Sequence, residues 1–334
     1  MENLLKFDKN KKRESIKGAL KLRDRINEII DPIFEDGFSN ICWFGIGGTY
    51  ASSMQVYTHM KEFTSMEVFY ENAAEFLTTG NKRITKDTLV FISSVTGSTE
   101  EMIKGVKALK DIGCKIVGFI DVETSNLAKM VDYHISYPEN EQLKFFMAAD
   151  RLMFLNGEFN NYESYYEELD NYLADAIVQV AIDSDEFAQE VAKKHHNDDI
   201  HYFVGAGAQW GATYSHAMCY WEEQHWLRSR AIHSAEFFHG VFEVITKDTP
   251  VTIYVSEDSQ RKLSERVVKF IPRICGNYTI IDTKDYKLEG ISEENRGFIS
   301  HLVIREINNR IDAYVEHINR HPMDIRRYYR QLEY

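Results

Sequence analysis

The sequence is short of several things, and each shortage excludes something. Of its 334 residues only four are cysteine, at positions 42, 114, 219 and 275, and no two form a CxxC pair. Cysteines this scattered argue against a disulfide framework or a zinc knuckle and fit a reducing, cytoplasmic setting. There are five prolines and no low-complexity tract, which leaves little room for a long disordered linker. No apolar run approaches the ~18 residues of a membrane span. The opening MENLLKFDKNKKRES carries cations but lacks the apolar stretch of a signal peptide. Basic charge is also in deficit: 39 Lys and Arg against 52 Asp and Glu leave a net charge of −13. Such a chain has no global electrostatic footprint for nucleic acid. What remains is an ordinary globular composition, 44% hydrophobic and 27% charged, long enough for two domains.

An internal repeat organises the chain. ITKDT occurs at 84–88 and again at 245–249, and Ala74-Glu75-Phe76 recurs as Ala235-Glu236-Phe237, both 161 positions later. Phe44-Gly45-Ile46-Gly47 faces Val204-Gly205-Ala206-Gly207 at 160, and the strand-like run ending at Asp121 faces one ending at Asp282. Landmarks holding nearly one offset over so long a stretch indicate a duplication. Within the first half, NICWFGIG, LVFISS and KIVGFID are short apolar runs bounded by Gly, Ser or Asp, as buried parallel strands are. The helix expected over Glu100–Lys110 ends at Gly113. Strands alternating with helices predict βαβ units and a parallel sheet covered on both faces. The expected divisions are a lead-in helix over 1–30, a first domain over 31–140, helical connectors over 141–198, a second domain over 199–318 and a basic-aromatic tail over 319–334.

Three clusters could carry chemistry. Ser93-Ser94-Val95-Thr96-Gly97-Ser98-Thr99 lies between a strand and a helix, where unpaired N–H groups and the helix dipole suit an anion. Hydroxyls at 94, 96 and 99 add donors, and Gly97 admits close backbone approach. Plain capping is the alternative, since Ser98 and Glu101 fit an S-x-x-E box. The matching loop of the second half reads Ser256-Glu257-Asp258-Ser259, whose carboxylates would repel phosphate, so a single phosphate site in the first half is expected. Gly45-Ile46-Gly47-Gly48-Thr49-Tyr50 is a second glycine-rich turn. Its dinucleotide fingerprint is broken by Tyr50, and no P-loop is present. The third cluster runs from Trp221-Glu222-Glu223-Gln224-His225 to Glu236-Phe237-Phe238-His239 and holds carboxylates and imidazoles able to move protons. A metal site on His225, His233 and His239 is the rival, without H-x-x-x-H or H-E-x-x-H spacing to support it.

FGIGGTYASS at 44–53, ENAAEF at 71–76, SSVTGSTEE at 93–101, GAGAQWGATYSHA at 205–217 and EFFHG at 236–240 resemble the sugar isomerase (SIS) family, in its tandem two-domain form, over nearly the whole chain. The resemblance implies an α/β fold of two SIS domains, each a parallel five-stranded sheet flanked by helices in a flavodoxin-like three-layer sandwich. It implies that Ser94, Thr96 and Thr99, with the backbone of Val95 and Ser98, take a sugar 6-phosphate. Gly47, Gly48, Thr49 and Glu75 would complete the binding site. In the related isomerase half of glucosamine-6-phosphate synthase, a base Glu precedes a ring-opening His by sixteen residues. That spacing falls here on Glu223 and His239, with Glu236 also matching. Two departures argue against the synthase reaction: Tyr220 stands where that enzyme has a lysine, and Glu2 where its glutaminase domain begins with cysteine.

WEEQHW, SRAIHSAEFFHG and HPMDIRRYY look most like the bacterial fructosamine-6-phosphate deglycases, which cleave Amadori compounds such as fructoselysine 6-phosphate. The resemblance therefore implies a cytoplasmic deglycase working without metal or cofactor. Its partner would be a sugar 6-phosphate conjugate of an amino acid, with no nucleic acid and no membrane involved. It further implies a homodimer, or a dimer of dimers, with the active site at the subunit interface and His239 serving the neighbouring chain. An aldose–ketose isomerase of an amino-sugar 6-phosphate and a non-catalytic phosphosugar sensor remain alternatives. His233, Arg327 and Tyr328 are further candidates, and Arg326 and Tyr329 of the same tail are as consistent with a surface patch.

Overall fold

In the computed structural model, residues 4–333 are described. They fall into two compact units: Arg13–Asp170, and the segment up to Lys12 together with Asn171 onwards. The lead-in, expected as one helix, is two: α1 (Lys9–Leu20) and α2 (Leu22–Asp36), and residues 1–3 lie outside the described residues. The second helix runs through Pro32 because buried Ile26, Ile29, Ile30 and Ile33 anchor it on both sides of the proline.

The N-terminal unit alternates β1 (Asn40–Gly45), α3 (Gly48–Phe63), β2 (Val68–Asn72), α4 (Ala73–Thr79), β3 (Thr88–Ser94), α5 (Glu100–Ile112), β4 (Lys115–Ile120) and β5 (Tyr133–Ile135). Its five strands are all parallel, in the order β2-β1-β3-β4-β5. Then come α6 (Glu141–Leu155) and α7 (Tyr162–Glu168). Successive side chains of each central strand enter opposite layers. Phe44 and Ile92 meet Met102, Val106 and Leu109 of α5. Trp43 instead stacks on Phe91 at 4.4 Å and meets Phe145 of α6 at 4.8 Å. All seven residues of β3 are buried, as a strand covered on both faces requires. Gly113 closes α5 in the left-handed region, φ +96°, its N–H bonded to Leu109 O and Lys110 O.

The C-terminal unit holds α8 (Ala174–Asp183), α9 (Asp185–His195), β6 (His201–Gly205), α10 (Gln209–Ser215), β7 (Ser229–His233), β8 (Val251–Val255), α11 (Arg261–Phe270), β9 (Tyr278–Asp282) and α12 (Glu293–Asn319). Its sheet is parallel with the order β7-β6-β8-β9, four strands where five were expected. The position matching β5 is 294–296, Glu-Asn-Arg, which is the first turn of α12. A polar, charged triplet has no apolar face to lay on a sheet edge, and the chain turns helical there. The 27-residue α12 packs on α8 and α9 instead.

The two units repeat one another bond for bond in places. In each ITKDT string the second threonine's hydroxyl accepts the N–H of the first, Thr88 from Thr85 at 2.9 Å and Thr249 from Thr246 at 2.8 Å. Cys114 and Cys275, also 161 apart, each donate to a carbonyl of that string. Asn72 caps Ala74 N–H at 2.9 Å, and His233 caps Ala235 N–H at 3.1 Å.

Candidate active site

An open parallel sheet places ligands at the carboxyl ends of its strands, where neighbouring connections leave in opposite directions. In the N-terminal unit that point lies between β1 and β3. The turn 45–49 and the loop 94–99 leave side by side there. Gly47 has φ +59° and open space where a Cβ would stand, as a backbone facing a ligand requires. Thr49 closes the turn by donating to Ile46 O at 3.0 Å, and Gly48 opens α3.

The loop after β3 keeps its hydroxyls at the end of the strand. Ser94 Oγ accepts Gly97 N–H at 2.9 Å, and Gly97 takes φ +62° with its Cα against Ser125. Ser98 Oγ donates to Thr96 Oγ1 at 3.0 Å. The expected Ser98–Glu101 capping box does not form, because α5 begins one residue later. Thr99 is its N-cap and makes no side-chain capping bond. The first N–H groups of α5 therefore have no side-chain cap, which is the condition for an anion there. Val95, 63% exposed, stands out from the loop. Glu75 is exposed in the first turn of α4, with its N–H on Asn72 Oδ1 at 3.3 Å.

Sequence reasoning missed Glu141. Its carboxyl is enclosed at the start of α6, bonded to Ser93 at the end of β3, and Ser52 of α3 also reaches it. Burial pushes its pKa up, against the pull of those two serines. An acid in a helix's first turn is commonplace, and nothing local marked this one.

Glu223 and His239 both lie in the C-terminal unit. A π-helical stretch, His216–Glu222, leads straight into Glu223, and such wide turns often mark functional positions. Glu223 Oε1 receives Arg326 Nε–H at 2.8 Å, while Glu222 accepts from Ser229 Oγ at 3.3 Å. Tyr220, where a lysine stands in the synthase pattern, is bonded through its hydroxyl to Arg305, whose guanidinium lies 3.9 Å over the ring. A cation is thus present at this position, but on α12. Behind the stretch, His225 Nε2 lies 3.2 Å from Asp312 Oδ1. Buried His216 is pushed down to about 4 by desolvation. His239 is exposed on the turn after Glu236, its N–H on Glu236 O at 3.0 Å, and Glu236 is exposed beside it. His233 is spent on its cap. In the tail, Arg327 sits 4.2 Å over Trp226 and Tyr328 is 61% exposed.

Among the described residues, one trio places metal-ligand atoms together: His195, Asp198 and His201, within 4.8 Å of one another. Both imidazoles turn Nδ1 to Asp198 Oδ2, at 2.7 and 2.8 Å, and Nε2 to Thr279 and Thr252. With every ring nitrogen engaged, the trio fastens α9 to the sheet. His225, His233 and His239 do not form such a group.

Residues 38–153 match the SIS domain family. The chain is 27% identical over 289 residues to the fructosamine deglycase FrlB of Bacillus subtilis, covering 83% of this chain and 87% of that one. It is 21% identical over 313 residues to the fructoselysine 6-phosphate deglycase of Escherichia coli K12, covering 91% and 89%. The fold matches a candidate phosphosugar isomerase of Bacillus subtilis with a TM-score of 0.87 at 22% identity, over 94% of this chain and 99% of the other. Among the described residues no helix is long and apolar enough to cross a membrane.

Proposed function

We propose that the protein is a fructosamine-6-phosphate deglycase, cleaving an Amadori compound such as fructoselysine 6-phosphate to glucose 6-phosphate and a free amino acid. The observation that carries this reading is the loop 94–99, with its hydroxyls, its left-handed Gly97 and the uncapped start of α5. The deglycases among the relatives support the substrate class. The shared sheet order and the recurring threonine turns support reading the C-terminal unit as a second SIS domain.

In this reading Ser94, Thr96 and Thr99, with the backbone of Val95 and Ser98, hold the 6-phosphate. Gly47, Gly48, Thr49 and Glu75 line the sugar. His239 moves the proton that opens the ring to the C2 ketone. Glu223 takes a proton from C1, leaving an enaminol, and returns one to C2, so that the nitrogen is left in a C1 imine. Water adds to that imine and the amine departs. Glu236 and His233 support the turn that carries His239. A homodimer, or a dimer of dimers, in which His239 serves the neighbouring chain belongs to the same proposal.

The test is to incubate the pure protein with fructoselysine 6-phosphate and assay both glucose 6-phosphate and lysine. Glu223→Gln keeps the side chain's shape but cannot accept the proton, so kcat is expected to fall ~10²–10⁴-fold with substrate still bound. Glu222→Gln, turned ~100° away on the helix, is expected to retain turnover. Isomerisation without amine release would make the protein an isomerase, and binding without turnover a sensor.

A further inference from the structure

We propose that Arg326 is the carboxylate-recognition residue of this site, so that the conjugates cleaved are those whose amine half carries a free carboxylate. The inference rests on the deglycase reading and names its substrate class more closely.

It starts from how the tail is held. Helix α12 ends at Asn319, Arg320 turns left-handed at φ +50°, and Pro322 prevents further helix. The chain then lies along the segment that follows Glu223. His321 Nε2 is 3.0 Å from Gln224 O, and its ring centroid is 4.3 Å from that of Trp226. Arg327 covers Trp226 as well, and Arg326 reaches Glu223. Trp226 itself has φ +59°, a conformation that a bulky side chain adopts only when its surroundings impose it. Four contacts over seven tail residues thus fix one guanidinium beside the proposed base.

The donors of that guanidinium are unevenly used. Nε donates to Glu223 Oε1 at 2.8 Å, and Nη1 donates to Met323 O at 2.7 Å and Ile325 O at 2.9 Å. Nη2 makes no hydrogen bond among the described residues, and the side chain is part-exposed. A planar guanidinium fixed by two of its three nitrogens offers the third to an anion at little further entropic cost. A monoanion suits it better than a dianion: the guanidinium's one charge is already shared with Glu223, so a carboxylate would meet about half the repulsion that a phosphate dianion would. In the proposed substrate the phosphate is taken by the loop 94–99. The amino acid's carboxylate is the charge left over. Arg326 would then do two things at once, holding Glu223 through Nε and reading the carboxylate through Nη2.

The experiment compares fructoselysine 6-phosphate with its decarboxylated counterpart, the 6-phosphate of fructosylcadaverine, on the full chain. Wild type is expected to show a kcat/KM at least tenfold higher for the carboxylate-bearing conjugate, mostly through KM. Arg326→Ala is expected to lower turnover of both, through Glu223, and to bring the ratio close to one. Arg326→Lys restores a cation for Glu223 without the fork, and is expected to recover kcat while leaving the ratio low. A wild-type ratio near one overturns the inference while the deglycase reading stands, and this arm needs no variant to fold. A ratio unchanged in Arg326→Ala overturns it too. If wild type cleaves neither conjugate, the deglycase reading falls and the inference with it.

Discussion

The two switch-point crevices occupy matching places in their sheets and have opposite contents. Between β1 and β3, Gly47 faces open space, and the following helix begins without a side-chain cap. Between β6 and β8, the matching Gly207 faces Asp258, whose carboxylate lies 2.1 Å from where a Cβ on that glycine would be. Asp258 accepts Ser256 Oγ–H and Gln260 N–H, both at 2.9 Å, and Gln260 reaches back to Gly207 N–H. Glu257 is held by Arg296 through two bonds, 2.7 and 3.0 Å. One crevice is open and lined with hydroxyls. The other holds carboxylates of its own. The two loops thus differ in content, hydroxyls in the first and carboxylates already paired within the unit in the second.

The strongest way to break this comparison is to disarm the open crevice. Ser94→Ala with Thr96→Ala removes two donors to a charged group, each worth roughly 1.5–3 kcal/mol. KM for the phosphorylated substrate is expected to rise tenfold or more. Ser256→Ala with Ser259→Ala, the two serines of the corresponding loop, is expected to leave KM within twofold. Equal effects in steady-state kinetics would erase the distinction.

Acid sharpens it next. In the C-terminal unit burial depresses His201 and His216 to about 4. For His201 this outweighs the opposing bond to Asp198. Both are neutral in the fold, whereas the unfolded chain takes up protons near the ordinary histidine value of ~6.5. Their stabilisation is therefore complete above that value and is lost as pH falls towards 4, on the order of 1 kcal/mol per pH unit for each. Glu141, raised by burial, has the opposite sign: it favours the N-terminal unit in acid and costs it stability as pH rises through its folded value. Thermal melts from pH 7 to 4 are expected to show the C-terminal unit yielding first, and His216→Phe is expected to flatten the slope. The smallest effect belongs to Asp258→Asn. It weakens two bonds at a loop and is expected to lower stability by about 1 kcal/mol in urea, with KM unchanged.

How far the sequence carried depends on whether a feature is local. β1, β3 and β4 could be read because apolar runs between glycines and serines have few other fates, and the hydroxyl-rich loop could be placed because it falls between a strand and a helix. The fifth strand expected in the second sheet could not be refuted locally, since its absence follows from α12 starting at Glu293 and packing elsewhere. The difference between Ser98 and Thr99 as cap is one residue of backbone geometry, below the resolution of a motif. Glu141 became a buried acid only through the docking of α6. Arg326 meets Glu223 from 103 positions away, and no periodicity reports a contact of that range.

Trp226 gives the clasped tail an optical consequence. Trp43 and Trp221 are fully enclosed, whereas Trp226 is 37% exposed and lies between an imidazole and a guanidinium. Protonated imidazoles and adjacent cations alter indole emission, so the fluorescence of this one ring reports whether the tail is seated. Titrating a carboxylate-bearing conjugate while following that emission would register the arrival of substrate at Arg326 without any turnover, and Trp226→Phe would supply the blank.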